Sequence, residues 1–380
     1  MLKTKKIIIL LLSSLLFLTG CLEKNILEEL GIVTIYGFDL SDEDNMLQAT
    51  TVLFQFNPDI TDASQVIQSK GHTFREVRNN ANKKSGYKIV SGQLRTILFG
   101  PKISEDGVFP YIDTLERDAS ISDMVFVAMS KDPTEQVLSA TNYEQSPNIG
   151  TYIQRLIETA VRDERLISST LHEFTHKFFA VGQDPLVPII ANLNNKAQLL
   201  GLAIFKDDRY VGELTLEDVF YVRLIADEFK SGQVEMELPT KQFEKYLKEY
   251  EDLDTETFFV VMDQLYNDVN IELKNPDSLS YKIDIDIKGR IVELSERIDL
   301  QKEEAIKLLE QEVSKEVKDK LTTLIDESKE LQADYFGFGL EYTTRKRGEE
   351  ITKDQWHDMY PNINVDINVT TKIRSYGIVE

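Results

Sequence analysis

A single cysteine in 380 residues, Cys21, stands directly after a short apolar run, and that placement limits what the rest of the chain can be. Lys3, Lys5 and Lys6 precede Ile7 to Leu18, which is apolar apart from Ser13 and Ser14. A membrane-spanning helix needs about 20 apolar residues, and this run stops short at Thr19 and Gly20. A charged start followed by a brief apolar stretch is the pattern of a cleaved secretory signal. Leu18, Thr19, Gly20 and Cys21 fit a bacterial lipobox, in which small residues admit the signal peptidase and the thiol takes diacylglycerol. Residues 1–20 are therefore expected to be removed, leaving Cys21 as an S-diacylglycerol, N-acylated cysteine that anchors an extracytoplasmic body to a membrane. Each buried methylene of such a lipid contributes roughly 0.8 kcal/mol. With the one sulfur used in this way, no disulfide can form within the chain, and the body must be held by packing and hydrogen bonds.

Roughly 360 residues follow the signal, more than a single core usually organises. The expected division is an N-terminal α+β region over 21–200, with two subdomains, and a C-terminal α+β domain over 201–380. Charge narrows the partners: 65 Asp and Glu against 43 Lys and Arg give a net charge of −22. Nucleic acid is excluded as a partner on that balance, and an anionic lipid surface repels such a body unless acyl chains or protein contacts hold it there.

Periodicity predicts strands at Ile32 to Tyr36, Ala49 to Phe56, Tyr87 to Val90, Leu94 to Phe99 and Met124 to Met129, with helices at Gly71 to Asn82 and Phe109 to Glu116. From Ile149 to Ala180 the apolar spacing reads as helix, with Gly182 as its C-cap. Leu199 to Phe205 and Tyr210 to Val211 read as a hairpin, and Thr215 opens a helix towards Phe229. Further strands are expected at Val234 to Leu238, Phe258 to Leu273 and Tyr281 to Glu293. In the last, Tyr281, Ile283, Ile285 and Ile287 alternate with Lys282, Asp284, Asp286 and Lys288, the mark of a sheet solvated on one side. A long amphipathic helix over Leu300 to Leu331 supplies the stripe to cover it. The fold class is thus α+β and multi-domain, its C-terminal part a largely antiparallel sheet packed by a long helix.

His172, Glu173 and His176 spell HExxH on a helix, the spacing at which two imidazoles hold zinc beside a glutamate base. With 4 His in the chain, such a match arises by chance roughly 0.004 times per chain, so a genome contains many. Zinc catalysis needs a third protein ligand. Gly182 stands where a metzincin carries its third His, His72 and His357 are distant, and Glu213 or Glu217 is no more than permissible. The three residues are rejected as a metal site, and neither a catalytic constellation nor a cofactor is expected.

Ordered segments along the exported chain resemble the C-subunit lipoproteins of spore germinant receptors, of GerAC and GerBC type. They are Leu30 to Val33 with Gly37 and Asp39; Gly71 to Val77; Gln93 to Gly100; Leu115 to Ile121; Gly201 to Phe205 with Gly212; Leu331 to Gly339; and Trp356, Tyr360 and Pro361 before Gly377. Leu22, Gln93 and Tyr360 depart from the residues usual in that family. The resemblance implies a non-enzymatic subunit, lipid-anchored at the outer face of the inner spore membrane. It would assemble with an integral A subunit and a transporter-like B subunit that sense nutrients. An extracytoplasmic solute-binding lipoprotein is the alternative, but the strand and helix order lacks the regular alternation of two doubly wound lobes. A zinc metallopeptidase is the third reading.

Overall fold

The computed structural model describes residues 27–41, 46–56, 64–143, 146–226, 229–230, 232–247, 256–346 and 351–376. The lipobox and Cys21 lie outside them. β1 (Leu30–Leu40) is buried at eight successive positions, which requires cover on both faces. It sits inside a nine-stranded sheet ordered β3-β2-β1-β5-β6-β7-β8-β9, with β4 paired to the start of β1. β2 (Leu47–Phe54) and β3 (Ser64–Gly71) extend it antiparallel on one side. β4 (Lys88–Val90), β5 (Thr96–Phe99), β6 (Phe126–Ser130) and β7 (Leu186–Leu193) add parallel, and β8 (Lys196–Lys206) and β9 (Arg209–Thr215) return antiparallel.

Side chains of β5 show how the cover is divided. Ile97 and Phe99 join a core with α1 (Phe74–Asn82), α2 (Pro101–Asp106), α3 (Phe109–Glu116) and α6 (Leu171–Phe179), whereas Leu98 points to the opposite core. That second core is filled by α4 (Thr134–Leu138), α5 (Ile149–Arg162) and α7 (Leu216–Ala226), and it runs on without a break into the second sheet. α7 is buried at seven consecutive residues, Val219 to Ile225, as a helix enclosed between two layers must be.

The second sheet is ordered β10-β11-β12-β13, with β10 (Gly232–Pro239), β11 (Thr257–Asn275), β12 (Ser280–Leu294) and β13 (Asn364–Tyr376). The alternation in β12 comes out as expected: Tyr281, Ile283, Ile285 and Ile287 are all buried beneath α8 (Glu303–Leu331), whose stripe of Leu309, Val313, Val317, Leu321 and Leu324 faces them. β12 and β13 are parallel because α8, α9 (Phe338–Arg345) and α10 (Lys353–Met359) form the crossover between them. The outer edge of β13 is sealed by α8: the Thr371 N–H donates to Ser314 Oγ at 3.0 Å and the Ile373 N–H to Glu310 Oε1 at 3.0 Å.

Two features differ from the sequence reading. The helix expected through Ile149 to Ala180 is two helices, broken where Glu164 takes a left-handed φ of 59° and the hydroxyls of Ser168 and Thr170 compete for local hydrogen bonds. α6 ends at Phe179 with Ala180 as its cap, so Gly182 is not the cap. Strand pairing continues across the expected division after residue 200, since β8 spans it and β8 and β9 hydrogen-bond into the first sheet.

Tyr360 fits its surroundings through a partner on α8. Its hydroxyl lies 2.6 Å from Ser328 Oγ, which in turn donates to the Ile325 carbonyl at 2.7 Å, and all three residues are buried. Tyr360→Phe is expected to cost about 1 kcal/mol in chemical denaturation. Ser328→Ala should cost less when Tyr360→Phe is already present than it does in the wild type, because the shared bond has already gone.

Candidate functional site

The HExxH residues lie on α6, where Glu173 has a structural use. Thr170 caps α6 by accepting from the Glu173 N–H at 3.2 Å, and the Glu173 carboxylate reaches back to the Thr170 N–H at 2.7 Å and to the Ser168 hydroxyl at 2.8 Å. This is a capping box. Burial works against its charge, but those hydrogen bonds win and hold the Glu173 carboxyl below the usual range. The glutamate is committed to backbone, while His172 and His176 have ring centroids 6.4 Å apart, and His172 is exposed to solvent.

Polar chemistry is instead concentrated where the two sheets meet. Asp334, at the end of α8, is completely buried and accepts four N–H bonds: Gly337 at 2.8 Å, Phe338 at 3.1 Å, Gly339 at 2.8 Å and the Trp356 indole at 3.0 Å. Asp184, in the loop before β7, accepts from the Asp207 N–H at 2.9 Å and the Asp334 N–H at 2.7 Å. The Asp184 N–H returns a bond to the Asp334 carbonyl at 2.9 Å. His357 on α10 lies between two carboxylates, Nε2 3.0 Å from Asp184 and Nδ1 3.6 Å from Asp207. Lys353, one turn earlier, is 2.6 Å from Asp207, bonds the Phe178 carbonyl and stands over the Phe178 ring at 4.7 Å.

Burial works against a charge on His357, but the hydrogen bond and charge of Asp184, joined by Asp207, raise its pKa above the ordinary imidazole value. Burial pushes the Asp334 carboxyl up to about 7, and repulsion from Asp184 adds to the rise, while the amides of Gly339, Phe338 and Gly337 hold it back. Asp184, Asp207 and His357 have ligating atoms within 4.8 Å of one another, so distance alone admits a cation. The chemistry of the set opposes it: both oxygens of Asp184 already accept N–H bonds, and the Lys353 ammonium occupies the open side of Asp207. The arrangement holds a proton between carboxylates and ties the two units together. Backbone contact closes the junction, since a Cβ on Gly339 would run into Gly182 Cα and lie 2.6 Å from the Trp356 ring.

Sequence reasoning set His357 aside for its distance along the chain, and nothing local to it signals a partner 173 residues away. Asp334, Gly337 and Gly339 do lie in the segment Leu331 to Gly339, and Trp356 was singled out with it.

Comparison with known proteins places this architecture. Two family models match in tandem, "Spore germination protein N-terminal domain" over residues 23–192 and "Spore germination B3/ GerAC like, C-terminal" over residues 200–377. The two-part fold is therefore that of a spore germination protein. Among curated proteins, "Spore germination protein GerQC" of Bacillus cereus is 24% identical over 375 residues, covering 98% of this chain and 99% of that one. "Spore germination protein KC" of Bacillus subtilis (strain 168) is 21% identical, covering 97% and 95%. The crystal structure of the GerBC protein superposes with a TM-score of 0.52 at 14% identity, over 89% of this chain and 96% of that one. The chain belongs to the GerAC/GerBC-type family of germinant receptor C subunits.

Two measurements test the junction. A raised imidazole pKa stabilises the fold fully below the unfolded value of about 6.5 and loses that contribution as pH rises through the folded value. The stability difference between wild type and His357→Gln should therefore be largest, about 3 kcal/mol, in mild acid below about pH 6.5, and shrink as pH rises through the raised folded-state value. The raised Asp334 carboxyl acts with the same sign over a lower window, from the ordinary carboxylate range up through about pH 7. Gly339→Ala forces two backbones apart and should cost about 3 kcal/mol in thermal or chemical unfolding.

Proposed function

We propose that this chain is the non-catalytic C subunit of a nutrient germinant receptor, held at the outer face of the inner spore membrane by the lipid on Cys21 and assembled with integral A and B subunits. The observation that carries the reading is the tandem family match over residues 23–192 and 200–377, supported by a fold similar to that of the GerBC protein. The homologues are spore germination proteins, which puts the chain in a spore-membrane setting, and no helix among the described residues is long and apolar enough to cross a bilayer. Attachment then rests on the acyl chains, of which two or three suffice for stable anchoring. A role without catalysis is supported by the use of the buried carboxylates: Glu173 caps a helix, and Asp184 and Asp334 are saturated by backbone donors.

Deletion of the gene in its spore-forming host is expected to abolish germination in at least one nutrient while leaving the response to calcium dipicolinate intact. Unchanged germination in every nutrient sinks the reading. Cys21→Ala should move the protein from the membrane to the soluble fraction and reproduce the germination defect, and full retention on the membrane would refute the anchor.

A further inference from the structure

A cleft of about 450 Å³ separates α7 from β10, the outermost strand of the second sheet. Five consecutive residues of β10, Gln233 to Glu237, border it. Strand side chains point alternately to the two faces, so five in a row can border one cleft only if it runs along the strand's edge. The hydrogen-bond alternation shows what that edge presents. The Thr240 N–H donates to the Glu256 carbonyl at 3.0 Å, and the register continues as Leu238 opposite Phe258 and Glu237 opposite Phe259. Bonded positions alternate in an antiparallel pair. Met236 and Leu238 therefore turn their backbone groups to β11, and Glu235 and Glu237 turn theirs outward. Phe259 agrees with this phase, since its own N–H and C=O are taken on the other side by Ser295, each at 2.9 Å. Among the described residues no strand pairs with the outer edge of β10.

The chemistry around this edge is acidic with an apolar floor. Leu216 and Phe259 are exposed within it. Glu217, Glu235 and Glu316 border it and form no ion pair among the described residues, whereas Arg165 is already paired with Asp163 at 3.2 Å. Lys320 is left to offset them. Tyr221 lines the same cleft and is 5% exposed. Burial first, then the charges of Glu316, Asp218 and Glu217, keep that phenol protonated. The cleft thus offers two outward backbone donor–acceptor sets, unpaired carboxylates and exposed apolar side chains.

We propose that this cleft receives an extended segment of a protein partner, with lysine or arginine alternating with apolar residues, which adds to β10 as a fifth strand of the second sheet. Main-chain bonds supply the affinity of such strand addition, and alternate side chains supply its specificity. Here the basic side chains, all on the helix-facing side of the added strand, meet Glu217 of α7 and Glu316 of α8, while the apolar ones, on the other side, lie over Phe259. The inference deepens the receptor reading, from which it takes only that the segment belongs to an assembled subunit.

The test uses the full chain in detergent and a fluorescent seven-residue peptide alternating lysine and valine, with binding read by anisotropy. Binding is expected, and none by a peptide alternating glutamate and valine. Glu235→Pro removes an outward N–H without touching a bond to β11, a place where an edge strand tolerates proline, and should weaken binding about tenfold or more. Methylating alternate backbone nitrogens of the lysine peptide makes the same test from the other side and should also abolish binding, whatever the variant does to the fold. Glu217→Gln with Glu316→Gln should lower affinity about tenfold and flatten its salt dependence. Failure of the lysine peptide to bind, or equal binding by the wild type, the proline variant and the methylated peptide, overturns the proposal. Neither result involves germination, so failure here leaves the receptor assignment standing, and failure of the gene-deletion test leaves this one standing.

Discussion

A carboxylate with no access to water must have its oxygens filled by donors, and Asp334 meets that requirement in a way that shapes everything near it. Three of its four donors are successive backbone amides, so the chain after α8 has to curl around it before α9 can begin. Its fourth donor is the indole of Trp356, which fixes α10 against that curl. Asp184 does the corresponding work from the first sheet, accepting the Asp334 N–H on its carboxylate and returning its own N–H to the Asp334 carbonyl. Two carboxylates this close repel, and Lys353, with His357 whose protonated form the carboxylates favour, offsets that repulsion from one face of α10. Charge balance and backbone geometry are inseparable here, because removing any one partner leaves a buried charge uncompensated.

The consequence for the whole molecule is that the two sheets behave as one body. The core beneath α5 and α7 continues under α8 without a boundary, and the Gly182 to Gly339 contact leaves no space for a hinge. Only six positions separate Cys21 from Leu27. A chain of that length reaches at most about 20 Å. With lipid on Cys21 as proposed, the start of β1 would stay within about that reach of the bilayer, which raises the effective concentration of the body near membrane partners. A subunit that works by contact gains from this.

Much of this architecture was legible in the residues. The alternation through Tyr281 to Ile287 and the stripe of α8 specify the second sheet and its cover, because one buried face leaves a period of two and one buried stripe leaves a period near 3.6. β7 was not legible: Pro188 lies inside it, and the strand survives because β6 pairs with it only at Ile189 and Ile190, where no proline N–H is required. The hairpin of β8 and β9 was readable as a hairpin, but no local signal says which sheet it joins. One structural use of the HExxH glutamate was readable from sequence. Thr170 to Glu173 is also a T-x-x-E capping box before an apolar run, and a glutamate that completes two backbone bonds at a helix start is a simpler use than an incomplete zinc site.

Open strand edges are a hazard, since they template pairing with another copy of the same chain. The second sheet treats its two edges differently. At the C-terminal half of β13 the outward N–H groups of Thr371 and Ile373 are occupied by Ser314 and Glu310, so a strand adding there would have to displace α8. β10 keeps its edge but surrounds it with Glu235, Glu237, Glu217 and Glu316. Two such edges brought together would set carboxylate against carboxylate in a partly desolvated cleft, where repulsion is stronger than in water. An acidic edge therefore excludes its own copies while remaining open to a strand of opposite charge. In a protein of net charge −22 that selectivity extends beyond the cleft, because the whole surface disfavours self-association and steers basic segments inward.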